Sequence, residues 1–272
     1  MSPRETLELL DLPEGRLAYE VTGSGPLVVC VPGMGDLRSV YRFTVPALVA
    51  AGFRVAAMDL RGHGDSDATF TRYDDVATGE DILALIEHLG GSALVVGNSL
   101  GAGAAVWAAA ERPGAITGLA LIGPYVRDVR TNPALKLAFR ALMAGAWAGR
   151  AWTAYLPKLY PAKPPVDFSE HRAAIGASLR RPAYRRAFTA TTHTTHAPAE
   201  ARLPRITVPA LVVMGTRDPD FPDPTAEAQL VADRLHGEVL LIPNAGHYPQ
   251  AEFPELVNPG LVAFAERAAI RA

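Results

Sequence analysis

Gly97-Asn98-Ser99-Leu100-Gly101 lies between an apolar run, Ala93 to Val96, and a run of small residues with helical character, Ala102 to Ala110. The segment reads as strand, sharp turn and helix, with a serine at the apex. A serine thrust out of a sheet edge in this way takes a strained backbone with φ > 0, and there is no room for side chains two residues to either side. Glycine at both flanks meets that demand. With 24 Gly and 8 Ser in 272 residues, the G-x-S-x-G spacing would arise by chance roughly 6% of the time. The flanking strand and helix therefore carry the argument. The first N–H groups of the helix would face an oxyanion developing beside the serine.

Outward from this turn the chain alternates strand and helix. Upstream, Leu7 to Leu12 and Arg16 to Val21, separated by Pro13-Glu14-Gly15, form an antiparallel edge hairpin. Leu27 to Val31 is wholly apolar and runs into Pro32-Gly33-Met34-Gly35; Val40 to Ala51 follows as a helix broken or started near Pro46. Arg54 to Met58 is a strand, and Asp74 or Asp75 opens a helix to about Leu89. Ile116 to Ile122 is the strand after the serine helix. From Tyr125 to Arg205 strands disappear, and helices are expected at Ala134 to Trp147, Arg150 to Leu159, Phe168 to Leu179 and Pro182 to Thr191. The alternation resumes with strand Ala210 to Met214, helix Ala226 to Leu235, strand Val239 to Ile242 and a closing helix, Glu255 to Ile270, with a breaker at Pro259-Gly260. This is an α/β fold with a mostly parallel eight-stranded sheet flanked by helices. Residues 1–123 and 206–272 form its core, and 124–205 an inserted helical cap.

A serine hydroxyl is a weak nucleophile and needs a base that is itself held by a third group. Of seven histidines, only His247 follows the last strand in a loop, Pro243-Asn244-Ala245-Gly246-His247, at the carboxyl ends of the strands. The acid is expected just after an earlier strand, where Gly215-Thr216-Arg217 leads to Asp218; Asp220, Asp223 and the remoter Asp128 are rivals. The order Ser99, Asp218, His247 suits this architecture. Two N–H donors for an oxyanion are expected from Leu100, next to the serine, and from Met34, whose flanking glycines permit close approach.

Bulk composition excludes several classes. An apolar content of 49% is ample for a core, and a net charge of −2 gives no reason to expect nucleic acid. The sequence shows no secretory leader and no apolar stretch of about 18 residues, so no membrane partner is expected. The single cysteine, Cys30, lies in an apolar run, which suits a reducing, cytoplasmic setting. Charge is uneven: residues 124–205 hold 14 Lys+Arg against 4 Asp+Glu, a balance of +10, and the remainder holds 12 against 24, a balance of −12. The bland reading is that opposite charge holds cap to core; the sharper one is that the positive charge faces the pocket mouth. His193-Thr194-Thr195-His196 offers two histidines without a third ligand, so no metal and no cofactor are expected. Trp107, Trp147 and Trp152 read as packing residues, with Trp147 or Trp152 a candidate ligand contact.

Taken together the motifs resemble the α/β-hydrolase superfamily over nearly the whole chain. They are GNSLG, PGMG where the family usually has His-Gly-x-Gly, DLRGHGDS, GTRD and NAGHYPQAEFPE. The resemblance implies Ser99, Asp218 and His247 as a catalytic triad, with the backbones of Met34 and Leu100 as oxyanion hole. It implies a small-molecule carboxylic ester or lactone as substrate, cleaved through an acyl-enzyme. A carbon–carbon bond hydrolase, a perhydrolase and a slow-turnover ligand receptor are the alternatives. Ser99 argues against dehalogenase or epoxide hydrolase chemistry, which uses a carboxylate at the elbow. Pro32 departs from the family histidine, so proline rigidity is expected to place that loop.

Overall fold

The computed structural model describes residues 6–129 and 133–271. Its elements in chain order begin with β1 (Leu7–Leu12), β2 (Gly15–Thr22), β3 (Leu27–Val31), α1 (Thr44–Ala50), β4 (Arg54–Met58) and α2 (Asp75–Leu89). Then come β5 (Ala93–Asn98), α3 (Leu100–Glu111), β6 (Ile116–Ile122), α4 (Pro133–Leu142), α5 (Ala148–Tyr155) and α6 (Phe168–Arg180). The chain ends with α7 (Pro182–Thr191), α8 (Ala197–Glu200), β7 (Ala210–Gly215), α9 (Pro224–Leu235), β8 (Glu238–Ile242), α10 (Pro249–Glu252) and α11 (Pro254–Arg271).

The strands form one eight-stranded sheet in the order β1-β2-β4-β3-β5-β6-β7-β8. The pairs β1–β2 and β2–β4 are antiparallel and all others parallel. Alternation along each strand divides the core between two faces. Leu27, Val29 and Val31 of β3 join a cluster with residues of α2, α3 and α9. Val28 and Cys30 join the opposite cluster, with α1 and α11. Burial accounts for the Cys30 thiol, which is pushed far above its ordinary range and so kept unreactive. The chain reverses its direction of sheet growth between β3 and β5, which are neighbours in the sheet. A crevice at the carboxyl ends of the strands is expected at such a switch point.

Three helix expectations change. The helix expected over 40–51 is a 3-10 turn, Arg38–Tyr41, followed by α1. Pro46 then falls in the first turn of α1, where its missing N–H costs no hydrogen bond. The helix expected over 134–147 stops at Leu142, and Gly145, at φ 70°, leads into a 3-10 turn. The breaker expected at Pro259-Gly260 does not break α11, which runs through it. Burial of Val257, Leu261, Phe264 and Ala265 along one face outweighs the single bond that the proline removes. Gly260 is there for packing, since a Cβ would lie 2.6 Å from Leu240 Cδ2 of β8.

Candidate functional site

Ser99 follows β5 with φ 55° and ψ −119°. Its N–H donates to Ile122 O at 2.9 Å, and its carbonyl accepts from the Ala102 and Tyr125 amides at 3.0 and 3.3 Å. The strained conformation is therefore held by β6, by α3 and by the segment after β6. A Cβ at Gly97 would lie 2.5 Å from Gly101 O, and one at Gly101 would lie 2.5 Å from Val31 O. Both obstacles are backbone and cannot turn aside, so each glycine is a steric requirement. Gly33 crowds the same point, its Cβ position being 2.8 Å from Ser99 Cβ.

Across the sheet end, His247 Nδ1 lies 2.7 Å from Asp218 Oδ2, with both side chains buried. Asp220 Oδ2 lies 3.7 Å from the same nitrogen. Burial works against charge on the imidazole, but Asp218 and Asp220 outweigh it and hold the pKa up at about 9. Burial raises the Asp220 carboxyl above its usual range; the His247 charge opposes this and the Asp218 carboxylate adds to it. Of the other sequence candidates, Asp223 caps α9 by accepting from Ala226 N at 2.9 Å. Asp128 accepts from the Thr195 hydroxyl and from His196 N.

The three groups Asp218, Asp220 and His247 offer ligand atoms within 4.8 Å of one another. Two ligands of one tetrahedral zinc stand about 3.3 Å apart, whereas 2.7 Å between Nδ1 and Oδ2 is a hydrogen-bond distance. The proton belongs on Nδ1, which leaves Nε2 as the basic nitrogen.

Several residues that sequence reasoning passed over hold this loop. Asn98 Nδ2 donates to Ile122 O at 3.0 Å and to His247 O at 3.3 Å, tying the strand before Ser99 to the histidine. Buried Glu252 accepts from the amides of Gly246, Ala162 and Lys163 at 2.7, 2.8 and 3.0 Å. His247 N–H donates to Leu159 O at 3.0 Å, so the loop is clamped to the helical segment. Asn98 sits inside the elbow motif and Glu252 inside NAGHYPQAEFPE; their positions were visible, but not their partners.

Met34 and Leu100 both line a cavity of ≈ 460 Å³ together with Ser99 and His247. Neither amide donates to an acceptor among the described residues. The turn that carries Met34 is held by His63 as well as by the rigid Pro32. Gly35 N–H donates to His63 Nε2 at 3.1 Å, and His63 Nδ1 lies 3.0 Å from Arg61 O. That pattern sets the tautomer protonated on Nδ1, and burial lowers the pKa of this ring, which favours the neutral form. In the sequence His63 stands out only as part of the DLRGHGDS motif.

Helices between β6 and β7 complete the cavity wall through Phe139, Trp152 and Tyr155. Trp152 Nε1 donates to Gly35 O at 2.8 Å. Trp147 is 58% exposed and outside this wall, and Trp107 packs on Gly79 of α2. His196 lines the cavity, with Nδ1 2.8 Å from Asp75 Oδ2. Among the described residues no hydrogen bond joins Ser99 Oγ to the imidazole; such bonds commonly form only once a ligand closes the site.

The sequence model of the alpha/beta hydrolase family matches residues 28–259. The chain belongs to that family. It is 30% identical over 271 residues to 2-(acetamidomethylene)succinate hydrolase of Mesorhizobium japonicum, covering 92% of each chain. It is 26% identical over 274 residues to a probable esterase of Oryza sativa subsp. japonica, covering 89% of this chain and 93% of that one. A bromoperoxidase from Bacillus anthracis superposes with a TM-score of 0.84 at 19% identity, over 96% of this chain and all of that one, a likeness of fold. No helix among the described residues is long and apolar enough to cross a membrane.

Proposed function

We propose that the chain is a serine hydrolase that cleaves a small carboxylic ester or lactone through an acyl-enzyme. The observation that carries this reading is the strained Ser99 on the wall of a cavity shared with His247, itself held by Asp218, and with Met34 and Leu100, whose amides are uncommitted. His247 Nε2 takes the Ser99 proton as Oγ bonds to the substrate carbonyl carbon. The resulting oxyanion accepts from the Met34 and Leu100 N–H groups, which are fixed before the reaction and need no reorganisation. Collapse of the intermediate breaks the carbon–oxygen bond, and Nε2 returns its proton to the departing alkoxide. Water then repeats the sequence on the acyl-enzyme, releasing the acid and restoring Ser99. Asp218 holds the ring orientation and balances the imidazolium. Residues 124–205 act as a cap that shapes the cavity, on a core made of 1–123 and 206–272. Relatives named for ester and succinate-derivative hydrolysis support the reaction class.

A fluorophosphonate should label the chain once, on the peptide containing Ser99, and Ser99→Ala should lose on the order of 10⁴-fold or more in kcat on short aryl esters. Labelling elsewhere, or full activity in Ser99→Ala, would overturn the reading. Sustained turnover separates an enzyme from a receptor that reacts once.

A further inference from the structure

The polar groups on the cavity wall are mostly engaged with one another. The Tyr155 hydroxyl donates to Asp220 Oδ1 at 2.9 Å, that of Tyr125 to Asp220 O at 3.3 Å, and the Trp152 indole to Gly35 O. The hydroxyls of Thr191, Thr192 and Thr194 donate to backbone carbonyls. Asp220 and Asp128, the carboxylates on this wall, already have donors. Apart from Ser99, His247 and Tyr248, whose phenol lies in the field of Asp36, the exceptions are Lys136 and Arg140.

These two stand one turn apart on α4, and Leu135, Lys136, Phe139 and Arg140 all line the cavity. Spacings of i, i+1, i+4 and i+5 place them on one helix face. The Arg140 Nε is buried without an acceptor, and neither cation forms an ion pair among the described residues. Lys136 lowers the Asp128 carboxyl through space, but that carboxylate is held by Thr195 and His196. Of the other described cations of the helical segment, Arg127 pairs with Glu227, Lys163 with Glu255, and Arg202 and Arg205 with Glu111; the rest form no ion pair among the described residues, but none of them lines this cavity. A buried guanidinium N–H without an acceptor is costly, and its natural complement is a carboxylate, which meets the planar fork with two bonds.

We infer that the substrate of this site carries a free carboxylate besides its scissile acyl group, and that Arg140 and Lys136 bind it. This rests on the serine hydrolase reading, and the cavity, at ≈ 460 Å³, is in the range for one small ligand of that kind. The carboxylate end is then held at α4 and the acyl end at Ser99, both on the wall of the one cavity. The same pair gives the basic charge of the segment a specific task, with the remaining ion pairs holding it to the core.

The test compares kcat/KM for mono-p-nitrophenyl glutarate and p-nitrophenyl butyrate. The parent should favour the glutarate, and Arg140→Gln, Lys136→Gln and the double variant should lower the ratio of the two, by about 10- to 100-fold for the double variant, the range of a charged hydrogen bond. Arg140→Lys should restore part of it, and high salt should reduce the parent's preference. A ratio near one in the parent, or one unchanged in the double variant, overturns the inference. Calorimetry with glutarate on the Ser99→Ala protein reads the anion site without chemistry: binding that weakens about 10-fold or more in Ser99→Ala/Arg140→Gln supports it, and binding indifferent to Arg140 rejects it. If Ser99→Ala still hydrolyses both esters, the nucleophile assignment fails, while the calorimetry continues to decide the carboxylate site.

Discussion

Replacing Asp220 by Asn should lower the pH at which the enzyme becomes active. His247 Nδ1 faces Asp218 at 2.7 Å and Asp220 at 3.7 Å, and these carboxylates hold the imidazole pKa at about 9. At 3.7 Å and an effective dielectric constant of about 20, two unit charges interact by about 4 kcal/mol, equivalent to about 3 pKa units. That is a ceiling, because the Asp220 side chain is 20% exposed and solvent screens part of the interaction. A fall of about 1 to 2 units is expected. In the proposed mechanism only neutral imidazole accepts the Ser99 proton, so kcat/KM rises with pH through the apparent pKa of the Asp218–Asp220–His247 cluster. The profile of kcat/KM on a neutral aryl ester, from pH 5 to 10.5, should show an acid limb near 9 in the parent and near 7 to 8 in Asp220→Asn. An acid limb that stays in place or moves upward would refute the reasoning. Stability follows the same linkage. A histidine pKa raised on folding contributes stabilisation that is fully present below about pH 6.5 and lost as pH rises through about 9. The alkaline fall in Tm should therefore be smaller in Asp220→Asn.

Two further substitutions test the scaffold. Gly101→Ala would ordinarily strengthen a helix by about 1 kcal/mol, but here the new Cβ meets Val31 O at 2.5 Å and Pro32 O at 2.7 Å. A lower urea midpoint is expected, by the 1–3 kcal/mol typical of overpacking or more, and an unchanged or raised midpoint would remove the steric account of the elbow glycines. His63→Phe keeps a ring but removes the acceptor for Gly35 N–H. It should cost about 1–3 kcal/mol of stability and reduce kcat more than it raises KM, because the loop carrying Met34 is loosened; a variant with parental Tm and kcat would show that Pro32 places the loop unaided.

The eight strands and their alternation with helices are legible in the chain because each is a short apolar run closed by Gly, Pro or a polar loop, and such runs can be buried only one way. The residues of the candidate site are legible too, since a serine flanked by glycines in a strand–helix turn, and a histidine after the last strand, are local patterns. Helix limits were less so. Gly145 ends the segment after α4, whereas Pro259 leaves α11 intact because buried apolar contacts to the sheet exceed the loss of one bond. The choice of Asp218 over Asp220 depends on a difference between 2.7 and 3.7 Å across a packed loop. The bond from Gly35 to His63, the clamp of Glu252 on Gly246 and the unpaired Arg140 likewise join groups brought together by different elements. Local sequence carries propensity and periodicity; which donor meets which acceptor is set by distances of tenths of an ångström that exist only after the sheet and helices have packed.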